Sequence, residues 1–271
     1  MNPKDILLYA DMDGTMLTDW ALGPVIPQRN LGALNRFVKD GGAFSIATGR
    51  QYVDASAFFG DFTFSAPMVL CNGAYIYDQS EKKFLSYQSL PRSFKEEALE
   101  FFLKHDDVWL VASDAEAIYQ VMTDTKKDDL LKDTFKRKPW TYEEYLNKEV
   151  AKLVFVLQDS KRMPSLKEQV AALKQSSLIE GTQSSAMYLE IMLKGTSKAE
   201  GIKQAIEQKN YGGRKLVCIG DYLNDYAMLK MADISACPDT ACEEVKEICQ
   251  IITCSNNDGA VGELIEKLYE L

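Results

Sequence analysis

Two aspartates one residue apart, Asp11 and Asp13, followed by Gly14 and Thr15, are the groups in this chain best suited to chemistry. Residues two apart in an extended segment point the same way, so both carboxylates would converge on one small volume. Like charges held that close repel. A hard cation with oxygen ligands relieves them, and magnesium is the usual one where phosphate is handled. One carboxylate can then stay ionised as a nucleophile while the other moves a proton, because environment drives paired carboxylate pKa values apart. The same short string also suits a solvated turn, where Asp and Gly are common. The rest of the chain has to decide between the two.

Other chemistries have little material. There is one histidine, His105, in Lys104-His105-Asp106-Asp107, which reads as the exposed end of a helix. None of the six cysteines forms a Cys-x-x-Cys pair, which argues against a zinc or thioredoxin-like site. Cys71, Cys218 and Cys237 lie in or beside apolar runs and read as small buried hydrophobes. The net charge of −9 speaks against a nucleic-acid partner, since phosphate backbones need a basic footprint. An anionic substrate must therefore be drawn in by a local Lys or Arg cluster. No apolar run is long enough to span a bilayer and the start has no signal-peptide layout, so a reducing, cytoplasmic setting without a membrane partner is expected.

The elements that must hold the acids follow a clear order. Ile6 to Ala10 is a short unbroken apolar run, as expected of a strand buried on both faces of a parallel sheet. Asn30 to Lys39 has helical spacing and stops at Gly41-Gly42; Ala43 to Ala47 reads as a second strand, a helix runs through Phe59, and Met68 to Cys71 reads as a third strand. Strand and helix alternate as in a parallel doubly wound sheet. Tyr75 to Tyr87 then suggests a hairpin. From about Leu90 to Leu193 the chain reads as an α+β unit with an antiparallel sheet and helices on one face, including a charged helix or loop over Asp124 to Lys138. The first pattern returns at Lys198, with strands expected at Lys215 to Gly220, Ile234 to Cys237 and Ile251 to Thr253. The expected architecture is α/β: a Rossmann-like core in two parts, residues 1–83 and 194–271, interrupted by an α+β domain over residues 84–193.

In such a sheet the strand ends share one edge, where ligands bind. That edge gathers Asp11 and Asp13, Thr48 with Gly49, Lys198, and Asp221 with Asn224 and Asp225. Lys198 stands out, because a cation is disfavoured at a helix start. The set suits phosphoryl transfer, which asks mainly for positioning and charge neutralisation. Asp11 would attack phosphorus and form an aspartyl-phosphate; Asp13 would protonate the departing alcohol and later take a proton from water. Asp11, Asp221 and Asp225 would supply carboxylates to Mg2+, with Asp13 contributing its backbone carbonyl. Thr48, the backbone at Gly49, Lys198 and Asn224 would hold phosphate oxygens. Arg50 is open to three readings: a substrate contact, a partner for the inserted domain, or a surface cation.

The strings Asp11-Met12-Asp13-Gly14-Thr15, Ala47-Thr48-Gly49-Arg50, Lys194-Gly195-Thr196-Ser197-Lys198 and Gly220-Asp221-Tyr222-Leu223-Asn224-Asp225 occur in that order, with Asn72-Gly73 before the insertion. In these motifs the chain resembles the haloacid dehalogenase-like hydrolases, specifically the Cof-type sugar-phosphatase branch. The resemblance implies magnesium-dependent hydrolysis of small phosphorylated metabolites, sugar phosphates first, beneath a large inserted cap, by a monomer or weak homo-oligomer. It departs from the family at Ala236-Cys237-Pro238-Asp239, where a Gly-Asn-Ala element is common. A phosphotransferase or phosphomutase would use the same intermediate, and a phosphate-binding signalling module also gathers acids, a Thr and a Lys at a sheet edge.

Overall fold

The structure, a computed structural model, describes residues 1–123, 137–183 and 185–271. The chain divides into two compact units, residues 1–87 with 197–271 and residues 88–196. The first stretch holds β1 (Ile6–Ala10), α1 (Gln28–Lys39), β2 (Ala43–Ile46), α2 (Tyr52–Ser56), β3 (Met68–Leu70), β4 (Tyr75–Asp78) and β5 (Lys83–Tyr87). The second unit holds α3 (Arg92–Lys104), β6 (Val108–Ser113), β7 (Ile118–Met122), β8 (Arg137–Thr141), α4 (Tyr142–Asn147), β9 (Lys152–Leu157), α5 (Met163–Ala171), β10 (Ile179–Gln183) and β11 (Tyr188–Leu193). The chain then returns to the first unit with α6 (Lys198–Lys209), β12 (Lys215–Ile219), α7 (Tyr226–Met231), β13 (Ile234–Pro238), α8 (Glu243–Lys246), β14 (Ile251–Thr253) and α9 (Ala260–Glu270).

In the first unit a parallel sheet runs β14-β13-β12-β1-β2. β1 sits between β12 and β2, with Tyr9 opposite Cys218 on one side and Ser45 on the other. All five β1 residues are buried, which explains the unbroken apolar run. Leu7 and Tyr9 join a cluster with Ala199, Ile202 and Ala205 of α6. Leu8 and Val217 point to the other face and are equally buried. Each such side chain contributes about 1.5–3 kcal/mol over leaving it in water, so the sheet edge beyond β1 and β12 is a firm platform. Cys71, Cys218 and Cys237 are buried, as their apolar surroundings in the sequence predict.

β3 departs from the expected pattern. A single parallel bridge, Ala47 to Val69, ties it to the core, and its ladder runs antiparallel to β4. β5 pairs with β4 and so belongs with this unit, whereas the expected boundary at residue 84 cuts through it.

The sheet of the second unit runs β10-β11-β9-β6-β7-β8. It is mixed, not antiparallel throughout, because β8 lies parallel to β7. β8, α4 and β10 are not legible as apolar runs. β8 carries Pro139 at the sheet edge, where a missing N–H costs nothing, and is held by Trp140 stacked on Tyr119 at 3.6 Å. β10 is mostly exposed and holds through backbone pairing to β11, with Ile179 as its contact to the core. α4 does leave a sequence signal, a capping box between Thr141 and Glu144. Its far end is satisfied by buried Lys95, whose Nζ donates to the carbonyls of Leu146 at 2.9 Å and Lys148 at 2.6 Å. His105 ends α3 as expected, but is half-buried and stacked on Phe101. The charged stretch expected over Asp124 to Lys138 lies, up to residue 136, outside the described residues.

Candidate active site

Parallel pairing brings the chemical groups together. Asp11 leaves the end of β1 with its N–H on the carbonyl of Ile219, so the turns after β1 and β12 emerge side by side. Ala47 donates to Ala10 and sets the Thr48 turn on the other flank. Lys198 opens α6 behind its N-cap Ser197, whose hydroxyl accepts from the N–H of Glu200.

Lys198 is fully buried and clamped between two acids. Its Nζ lies 2.5 Å from Asp11 Oδ1 and 2.6 Å from Asp225 Oδ1. The other oxygen of Asp225 accepts from the N–H groups of Asp221 at 3.0 Å and Tyr222 at 3.2 Å. Asp225 thus fastens the turn after β12 and aims the lysine at once. Gly220 makes this possible, since a Cβ there would overlap the Asp225 carboxyl. Thr15 donates to Asp221 Oδ1 at 2.9 Å. Gly14, at φ +76°, lets Asp221 approach; a Cβ there would fall on its carboxyl.

Asp11, Asp221 and Asp225 each offer an oxygen within 4.8 Å of the others. Three acids share one buried cation. Burial, resisted by Lys198 and reinforced by Asp225 and Asp221, raises the Asp11 carboxyl well above its ordinary range. Burial and the Asp225 charge push Asp221 up to about 6. For Lys198, burial works against its charge, but Asp11 and Asp225 outweigh burial and hold it protonated above the usual lysine range. A cluster of hard oxygen donors with surplus negative charge fits a divalent cation such as Mg2+. Asp11 and Asp221 are the carboxylates placed to hold it, because both oxygens of Asp225 are already engaged.

Asp13 stands apart from that cluster. Its carboxylate is gripped by Arg50 in a fork, Nε to Oδ2 at 2.7 Å and Nη2 to Oδ1 at 2.6 Å. Its side chain lies outside the acid cluster, in keeping with the expectation that only its backbone carbonyl would face a metal. Arg50 is therefore no free surface cation: it is the partner of Asp13, and it lies over the rings of Phe58 at 4.9 Å and Trp20 at 5.2 Å. Thr48 is buried, with its hydroxyl accepting from the N–H of Arg50 at 3.2 Å. Gly49 lies against Asn72, whose φ of +53° is left-handed, and the exposed Asn224 donates to Asn72 Oδ1 at 3.4 Å. The departure at Ala236-Cys237-Pro238-Asp239 runs off the end of β13, and the loop beyond it returns to the site where Cys242 N–H donates to the Asp221 carbonyl at 3.0 Å.

Sequence reasoning missed Thr15 as the orienting partner of Asp221, although the residue lies inside the first motif. It also missed Trp20, which sits in a loop without periodicity.

Comparison with known proteins is consistent across the chain. The family model for haloacid dehalogenase-like hydrolases matches residues 8–265. The 5-amino-6-(5-phospho-D-ribitylamino)uracil phosphatase YitU of Bacillus subtilis is 22% identical, covering 100% of both chains. The pyridoxal phosphate phosphatase YbhA of Escherichia coli is 24% identical over 96% of this chain and 97% of its own. A haloacid dehalogenase-like hydrolase from Bacteroides thetaiotaomicron superposes with a TM-score of 0.82 at 22% identity, covering 98% of this chain and 100% of that one.

Proposed function

Since this chain belongs to the haloacid dehalogenase-like hydrolases, in the Cof-type branch, we propose that it is a magnesium-dependent phosphatase of small phosphorylated metabolites, working through an aspartyl-phosphate on Asp11. The carrying observation is Asp11 itself, a buried carboxylate at a strand end with its Oδ1 fixed by Lys198.

Asp11 attacks the phosphorus of the ester, and the bond to the departing alcohol breaks. Asp13, turned from Arg50 and protonated, gives that proton to the alcohol. Water then attacks the phosphorus of the aspartyl-phosphate, Asp13 takes its proton, and inorganic phosphate leaves with Asp11 restored. Lys198 offsets the charge on the phosphoryl oxygens, with Thr48, Asn224 and the backbone at Gly49 as further donors. Asp225 holds Lys198 in place. Asp11, Asp221 and the Asp13 carbonyl would hold Mg2+, which would supply charge neutralisation on the transferring group.

Sugar phosphates are natural candidates among the substrates. The six cysteines are free, which suits a reducing cytoplasm. No helix among the described residues is long and apolar enough to cross a membrane. The net charge of −9 again disfavours a nucleic-acid partner.

The test is phosphate release from a panel of sugar, nucleotide and cofactor-precursor phosphates, with and without Mg2+. Assaying free phosphate alongside phosphorylated acceptor separates hydrolysis from transfer. Asp11→Asn is nearly isosteric and should abolish turnover while preserving the circular dichroism spectrum. Wild-type turnover by that variant would remove Asp11 as the nucleophile.

A further inference from the structure

The loop between β1 and α1 presents a tryptophan to solvent on a rigid mount. Trp20 is 65% exposed. The loop that carries it is closed by Thr18, whose N–H donates to Val25 O at 2.9 Å and whose hydroxyl donates to Gly23 O at 3.0 Å. Asp19 is pinned from the far end of the chain. It accepts from Asn257 Nδ2 at 2.8 Å and Asn256 Nδ2 at 3.1 Å, and its own N–H donates to Asn257 Oδ1 at 2.9 Å. Asn256 is itself buried and anchors the loop again through Leu17 O at 2.9 Å. An indole on a loop fixed at both ends has little freedom left to lose on binding, and it keeps an open apolar face.

The position of that face matters. Trp20 lies over Arg50, and Arg50 grips Asp13. On the reading above, the oxygen that takes the proton of Asp13 belongs to the leaving alcohol. The group attached to that oxygen must then come within one Asp13 side-chain rotation of Arg50 and the two rings that flank it, Trp20 and Phe58. This is a platform of π faces around one guanidinium, which favours a flat aromatic ring over a saturated polyol.

We propose that Trp20 is a specificity residue that stacks on the leaving group, and that the preferred substrates are phosphate monoesters of alcohols bearing a planar heterocycle. The proposal rests on the phosphatase reading of Asp11 and Asp13 and extends it to the side of the substrate that departs.

The experiment compares the full-length enzyme with Trp20→Ala and Trp20→Phe, with Mg2+ present. Pyridoxal 5′-phosphate and riboflavin 5′-phosphate serve as ring esters; glucose 6-phosphate and glycerol 3-phosphate serve as saturated ones. Wild type should favour the ring esters in kcat/KM. Trp20→Ala should reduce the ratio of ring to saturated esters about 10-fold, the usual scale for losing one stacking partner, and Trp20→Phe should restore part of it. Fluorescence gives a second readout. Trp109 and Trp140 are buried, so acrylamide quenches chiefly Trp20. In the Asp11→Asn background, ring esters should shield Trp20 from acrylamide and saturated esters should not. An unchanged ratio in Trp20→Ala, with no shielding, overturns the stacking role and leaves the phosphatase reading standing. Failure of the wild type to hydrolyse either class overturns both.

Discussion

Replacing Lys198 by methionine tests the electrostatic arrangement on which the site depends. The lysine side chain is fully buried, that of Asp225 likewise, and that of Asp11 is 7% exposed. Methionine keeps most of the volume and removes the charge. Two carboxylates then remain in a dry space with no cation, beside a third at Asp221. Removing one partner of a buried ion pair typically costs about 3–5 kcal/mol, because the survivors can neither rehydrate nor find a counter-charge. With a urea slope of about 2 kcal/mol/M for a domain of this size, the midpoint should fall by about 2 M. The chain has two units, so a bulk melt would mix two transitions. Hydrogen exchange read on peptides spanning β1 and β12 isolates the first unit. Adding Asp225→Asn to Lys198→Met should recover much of the loss, since Asn still accepts from the Asp221 and Tyr222 N–H groups while removing one uncompensated charge. A first-unit midpoint within about 0.3 M of wild type, or a double variant no better than the single one, would refute the claim that the lysine is held there to balance buried acids.

Two further outcomes follow from the same geometry. Asp13→Asn should cost about 10²–10⁴-fold in turnover of alkyl phosphates, the usual worth of a positioned acid, and much less for p-nitrophenyl phosphate, whose leaving group needs no proton; equal losses on both would remove Asp13 from that role. Asp221 is pushed up to about 6 by burial and the Asp225 charge, from an ordinary 3.8, so folding takes up a proton between those values. The stability tied to that proton is complete below pH 4 and is lost as pH rises through 6. In EDTA, Asp221→Asn should therefore gain on wild type in urea midpoint from pH 4.5 to pH 7.5, with saturating Mg2+ at pH 7.5 reversing the order; a gap that does not change with pH would contradict the shift.

The sequence reveals the core strands and the acids for one physical reason and hides their partners for another. β1 and β12 are buried on both faces, so their side chains must be apolar along the whole run, and the run is visible. The edge strands β8 and β10 rest largely on backbone pairing, with one core contact each, Trp140 and Ile179, too few to make an apolar run. Asp11, Asp221 and Lys198 stand at strand ends and a helix start, so their meeting place follows once the sheet is parallel. Which acid takes which partner does not follow. Arg50 closes on Asp13 across 37 residues and Thr15 on Asp221 across 206, and both pairings depend on how two turns bend after their strands end. Lys198 shows what can still be read in advance. A cation at the first residue of a helix opposes the dipole by roughly 0.3–1 kcal/mol, so its placement there makes little sense from local preference alone. Two buried carboxylates, 187 and 27 residues away in the chain, supply the missing term. A residue that offends its own helix is held there by something distant, and in this chain that offence points directly at Asp11, the proposed nucleophile.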